Sequence, residues 1–319
     1  MNNAKWNRGV RTHGKTITGI LNSEISHMDD KYNNCLPNLH SAKTLLLGSD
    51  YSGESFNATY TLFSFLITTL ESWAAWEPKR LEIRRKHLTD SRRMSFKCLG
   101  DGQRRQALHP FLEAANTLDG LSLSIALNKK CQSIFESQIP LDISNPDFSA
   151  FRKWRPKILE KAFFIVHILC LLIGGLAAPG QNVMWFTDED SIAANDDRMR
   201  ELTQLFSWIS SEYLPFNLGH CRCGTSKCDD GSRQIEDLLA IPDIIAGALA
   251  EQMQLRGEYP IELSNVLFMH HGDFTDKTKD ITWWFSDCRQ PLKRLVGIVD
   301  PTEDGENHLL RLFHFYDQD

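Results

Sequence analysis

The sequence predicts an α/β domain, and three observations carry the prediction. Short runs crowded with leucine, β-branched and aromatic residues recur at 45–47, 58–69, 121–127, 182–186 and 216–223, each bounded by turn residues. Long segments at 155–177 and 232–253 are apolar over helical lengths, and 197–213 carries Leu202, Leu205, Phe206 and Ile209 on one helical face. The order is therefore β-β-β-α-β-α-β-α.

Each element has its own signal. Leu45-Leu46-Leu47 reads as a buried strand that Ser52-Gly53 breaks, which sets Asp50 at its tip. ATYTLFSFLITT follows as a second strand and LSLSIAL as a third. Between these two lie a charged stretch, PKRLEIRRKHLTDSRR, and a helix-like segment over 104–116, so the β-rich part is a meander with one long excursion. The strand 182–186 ends on Thr187-Asp188-Glu189-Asp190. Pro242 inside the last helix is expected to kink or restart it. Residues 1–43 read as an extension that packs on the domain or binds a partner, 44–256 as the domain, and 257–319 as a C-terminal extension packed on it.

With 319 residues, the chain can bury a core without disulfide or metal staples. A net charge of -6 weighs against a basic nucleic-acid module but not against an enzyme that grips phosphates through a local basic stretch and bound metal. The start has no apolar core of a signal peptide, and eight cysteines are scattered, which points to a cytoplasmic location with reduced thiols. The apolar run 162–178 is short for a membrane span and contains His167 and two glycines, so it is expected to be a buried core helix, with no membrane partner.

Three carboxylates stand out. Asp50 and Asp188 sit at predicted strand ends, and Asp243 follows Pro242 within the apolar small-residue run Ile244-Ile245-Ala246-Gly247. An aspartate in such surroundings is buried beside other groups or faces a site. Hard cations such as Mg²⁺ or Mn²⁺ take oxygen ligands of this kind, and two such ions can drive phosphodiester cleavage. The bland alternative is three ordinary surface or turn acids.

Asp50-x-Ser52-Gly53 after an early strand, the acidic end of the strand at 183, and Gln234-Ile235-Glu236-Asp237 followed by Pro242-Asp243-Ile244-Ile245-Ala246-Gly247 resemble the family called domain of unknown function 3800, within the RNase H-like superfamily. The resemblance spans about residues 45–251. It implies an RNase H-like fold, a mixed five-stranded sheet with helices on both faces, and divalent-metal chemistry on nucleic acid. It matches Asp50, Asp188 and Asp243 to the family's acids, and the leading reading has these three ligate Mg²⁺ or Mn²⁺, with Glu54 or Glu236 as outer helpers. Among the acids after Thr187, Asp188 is preferred, with Asp190 on the same side of an extended chain and Glu189 turned away. Two departures stand: Tyr51 replaces the glutamate of the early motif, and the region of the usual intermediate acid holds Lys97 and Asp101.

The basic stretch supplies the expected phosphate contacts, with Arg84, Arg85, Lys97 and Arg104 as substrate-binding candidates and a solvated helix face as the alternative. GHCRCGTSKC offers Cys221, Cys223 and Cys228, with His220 alongside, as a zinc set. Its spacing departs from Cys-x-x-Cys, and strand alternation sets His220 opposite Cys221 and Cys223, so free thiols on a loop or edge strand are the competing reading. His270-His271 reads as a loop feature. The function expected is a metal-dependent nuclease acting on nucleic acid. The alternative is a non-catalytic binding subunit for nucleic acid or protein on the same fold, as in a defence or mobile-element system.

Overall fold

A computed structural model of the chain describes residues 5–131, 146–256 and 274–314, apart from 15, 33, 288, 304 and 306. Its strands are β1 (Thr44–Ser52), β2 (Tyr60–Thr69), β3 (Gly120–Asn128), β4 (Asn182–Thr187), β5 (Cys221–Thr225), β6 (Leu292–Pro301) and β7 (His308–His314). The helices are α1 (Ile17–Lys31), α2 (Leu70–His87), α3 (Gly102–Ala115), α4 (Pro156–Leu176), α5 (Asp196–Tyr213), α6 (Gln234–Arg256) and α7 (Asp276–Ser286).

All the strands join one mixed sheet in the order β5-β4-β1-β2-β3-β6-β7. β1, β2 and β3 form the antiparallel meander, and β4 and β5 continue parallel from β1. The sheet has seven strands, not the expected five. Residues expected as a C-terminal extension supply α7 and the two additional strands: β6 lies parallel to β3, and β7 closes antiparallel onto β6. Without them, the hydrogen-bonding edge of β3 would be open.

Helices cover both faces, so β1 is buried on both sides. On one face Leu45, Leu47, Phe65 and Trp185 pack with α1, α4 and α5. On the other, Leu46, Leu62 and Leu66 pack with α2, α3, α6 and α7. Side-chain alternation along β1 decides which residue goes where, and it sends Asp50 to the α6 face and Tyr51 to the α4 face.

The first residues belong to the core. Trp6, Leu21, Ile25, Leu36 and Leu39 are buried in the layer of α4. Gly175 makes room for the Trp6 indole, which a Cβ there would meet at 2.4 Å. Among the described residues, α4 and α6 are the two helices long and apolar enough to cross a membrane, and most of each is buried inside the protein.

α2 occupies the segment that reads as a charged stretch. Its inward positions include Trp76, Arg80, Ile83 and Arg84. Two of these are arginines, which hides the helical stripe from an apolar pattern. They are satisfied by α6: Asp237 accepts from Arg80 Nη1 at 2.8 Å and from both Nε and Nη2 of Arg84 at 2.5 Å. Glu77 completes the balance through two 2.6 Å bonds from Arg80. Burial opposes the charge of Arg80, but Glu77 and Asp237 outweigh it and raise its pKa. α6 runs through Pro242 as one helix rather than restarting there.

A candidate acidic site on the α6 face

β1 extends to Ser52, so Asp50 lies within the strand, not at its tip. It pairs across with Ser64, which in turn pairs with Ser124. These positions share the α6 face, and the two serine hydroxyls bond at 2.7 Å. Gly53 ends the strand with φ 76°, and a Cβ there would stand 2.3 Å from the Tyr60 carbonyl oxygen. Glycine is required at that turn.

The parallel register of β1 and β4 pairs Ser49 with Thr187. The next residues, Asp50 within β1 and Asp188 just past β4, therefore lie at one level on neighbouring strands about 4.8 Å apart. α6 crosses the same face and brings Asp243. Three residues distant in the chain thus come to one face of the sheet, where the charges of Asp243 and Asp188 act on Asp50.

Each acid is held differently. Asp50 is 7% exposed, and no hydrogen bond or ion pair from the described residues reaches its carboxylate. Burial, then the charges of Asp243 and Asp188, hold its pKa well above the ordinary carboxylate value. Asp243 accepts from the Phe96 backbone N–H at 2.6 Å, yet burial still raises its pKa. Asp188 accepts from Arg93 Nη2 at 2.8 Å and from Ser226 Oγ at 3.3 Å. Burial works against its charge, but Arg93 prevails and its pKa is lowered.

Arg93 was one of nine arginines and lysines between residues 80 and 105, and nothing in the sequence set it apart. Its position depends on the turn after α2. The Arg92 carbonyl accepts from Arg84 Nη1 at 3.2 Å, the Arg93 carbonyl from Arg104 Nε at 2.7 Å, and Phe96 N is tied to Asp243. Arg93 acts electrostatically on all three acids.

The expected substrate-binding residues divide. Arg84, expected on substrate, is instead buried in its ion pairs with Asp237. Arg104 is held by the Arg93 carbonyl and paired with Asp101. Arg85 and Lys97 are exposed, and Lys97 acts on the charge of Asp243. The expected helpers are also engaged elsewhere. Glu54 pairs with Lys161 of α4, as does Asp190, and the Lys161 ammonium lies 4.4 Å from the Tyr51 ring centroid. Asp190 therefore does not share a partner with Asp188, because the chain turns after Thr187 and strand alternation stops applying. Glu236 of α6 pairs with Arg233, which precedes the helix, although its charge reaches Arg93. Tyr51, in the place of the motif's glutamate, bonds Ser49 Oγ at 2.7 Å and Thr187 Oγ1 at 3.2 Å on the opposite face. Its presence removes no carboxylate from the Asp50 face.

The donor set of the three aspartates is all carboxylate oxygen, and Asp50 is buried with no hydrogen bond or ion pair from the described residues. Both properties fit a hard divalent cation. Among the described residues, no three His, Cys, Asp or Glu side chains converge as a ready-made cage, and Arg93 lies beside Asp188 instead. Mg²⁺ commonly takes one or two carboxylates and keeps several waters, so the residues present suit it.

Among the described residues, Cys221, Cys223 and Cys228 do not form a group that could hold a metal. Cys221 and Cys223 share one side of edge strand β5. Cys228 lies against Gly224, where a Cβ on the opposite side of the strand would meet its Sγ at 2.9 Å. His270 and His271 lie outside the described residues. A separate cavity of about 700 Å³ opens on the α4 face, lined among others by Ile17, Phe164, His167, Trp208 and Tyr213.

No family model matches the chain, and no curated protein matches it.

Proposed function

We propose that the three aspartates form the divalent-cation site of a nuclease with an RNase H-like fold, related to the domain of unknown function 3800 family. The observation that carries the reading is Asp50: a carboxylate 7% exposed, without a partner among the described residues, beside two further acids. Leaving such a group buried costs stability unless a cation compensates it. The three-strand meander flanked by two parallel strands, with helices on both faces, supports the fold.

A bound divalent cation would activate a water and stabilise the leaving oxygen of a phosphodiester. Asp50, within β1, and Asp188, just past β4, would present their oxygens from adjacent strands. The Phe96 N–H orients Asp243 through Oδ2 and leaves Oδ1 available to a cation. Of the expected substrate-binding residues, Lys97 and Arg85 are exposed, which supports a role for them in contacting a phosphate backbone.

One observation favours the second reading, a non-catalytic binding subunit: Arg93 already supplies a positive charge to Asp188. Purified wild type and Asp188→Ala should be assayed on single- and double-stranded DNA and RNA with Mg²⁺, Mn²⁺ or EDTA. The nuclease reading expects cleavage that needs the metal and Asp188. Cleavage surviving EDTA or the substitution overturns it, and no cleavage of any substrate by wild type favours the binding subunit.

A further inference from the structure

We propose that Arg93 is the residue that receives the substrate's phosphate, and that it rests beside Asp188, in the place of the cation, until a phosphodiester draws it away. The inference rests on the cation-site reading above and adds a substrate-coupled order to it.

The backbone leaves Arg93 little choice of position. The carbonyls of Arg92 and Arg93 are held by Arg84 and Arg104, and Phe96 is fixed to Asp243. A segment tied at three nearby points presents the intervening side chain to the acids. The guanidinium there is underused. Asp188 takes a hydrogen bond from Nη2 alone, while the adjacent Nε–H is buried and has no hydrogen-bond partner among the described residues. Nε and Nη2 form one edge of the fork, whose spacing matches two oxygens of one phosphate. A phosphodiester would satisfy both donors, where Asp188 satisfies one.

Charge sets the order of events. Arg93 and a divalent cation compete for Asp188, so each weakens the other's hold on it. A phosphodiester anion attracts both and lets the arginine leave the carboxylate as the cation arrives. Cation and phosphodiester should therefore bind with positive coupling, and the coupling must be reciprocal.

The test is calorimetric titration of Mn²⁺ into wild type, Arg93→Ala, Arg93→Lys and Asp188→Ala. Each is titrated alone and with short nuclease-resistant phosphorothioate oligodeoxy- and oligoribonucleotides. Wild type should bind Mn²⁺ at least about fivefold tighter with an oligonucleotide than without, the lower range of such couplings. Arg93→Ala should bind Mn²⁺ alone at least about fivefold tighter than wild type and lose the coupling. Arg93→Lys, which keeps the charge without the fork, should retain weak Mn²⁺ binding and lose most of the coupling. Equal Mn²⁺ affinity and coupling in wild type and Arg93→Ala overturns the role of Arg93 and leaves the cation site standing. Should Arg93→Ala fail to fold, wild-type coupling in Arg93→Lys overturns it equally. Absence of Mn²⁺ binding in every protein, with Asp188→Ala indistinguishable from wild type, overturns the cation site and this inference together.

Discussion

Asp243 and Phe96 are joined by a 2.6 Å hydrogen bond from the Phe96 backbone N–H to Oδ2, and one helical turn later Gly247 yields the space that the Phe96 ring fills. The two contacts seat the 96–98 turn on α6. Lys277 of α7 closes over it, 3.8 Å from the ring centroid, and donates to the Phe96 carbonyl at 3.2 Å. The spacing of Asp243 and Gly247 in the late motif thus has a mechanical meaning: one residue binds the backbone, and the other admits the side chain.

Gly247→Ala tests that seat. A Cβ would meet Phe96 Cγ at 2.1 Å and Cβ at 2.5 Å, atoms too near the backbone to swing aside. Overpacking of this kind costs about 1–3 kcal/mol, against a helix-propensity gain of about 1 kcal/mol. Urea unfolding should report a net loss. A more stable variant would mean that the 96–98 turn does not rest on Gly247.

The acids should respond in opposite directions to loss of charge. Asp50→Asn removes a buried, uncompensated carboxylate and should raise metal-free stability by about 1 kcal/mol. Asp188→Asn strips Arg93 of its ion partner and should lower stability by about 1 kcal/mol or less, since both side chains are about a third exposed. Thermal melts in EDTA separate the two. A loss in Asp50→Asn would reveal a structural hydrogen bond to that aspartate.

Arg84→Ala should act through folding. Its removal leaves Asp237 buried with half its partners and costs about 3–5 kcal/mol. Arg85→Ala, at an exposed position, should stay within about 0.5 kcal/mol of wild type. If Arg85 meets a phosphate, its variant should weaken nucleic-acid binding and lower the salt slope by about one. Equal stability of the two variants in chemical denaturation would contradict the buried ion network.

His167 predicts a pH dependence. Burial lowers its pKa from 6.5 to about 4, while its Nδ1 bonds the Tyr213 hydroxyl at 2.8 Å. The folded imidazole resists protonation, so its contribution is fully present above about pH 6.5 and is lost as pH falls toward 4. The full effect is of order 3 kcal/mol. Denaturation midpoints across that range should fall in wild type and fall less in His167→Gln. Parallel curves for the two proteins would place the titration elsewhere.

Much of the framework was legible in the chain. β2, β3 and β4, together with α4, α5 and α6, announce themselves because their buried residues are apolar and recur at strand or helix period, which local sequence alone can express. Asp243 stood out for the complementary reason, since a carboxylate among residues that must be buried needs a cause, whereas Asp50 read as a strand-tip acid and its burial within β1 came only with the structure. α2 was not legible, because its inward positions are filled by Arg80 and Arg84. These are acceptable there only through Asp237, which lies more than 150 residues away. The roles of the arginines follow from the same fact. Composition marks a basic stretch, but only packing decides that Arg84 is buried against Asp237, that Arg104 holds a carbonyl, and that Arg93 reaches Asp188.

The sequence by itself determined which segments seek burial and which acids sit unusually within them, since hydrophobic period and burial cost are local properties. The tertiary structure alone decided how the sheet is completed and who partners whom. β6 joins β3, Tyr51 turns away from Asp50, and Glu54 is taken by Lys161, while Asp50 is left without a partner among the described residues. Strand pairing and ion pairing are contacts between groups distant along the chain, and their outcome depends on which groups the whole fold brings within reach of one another.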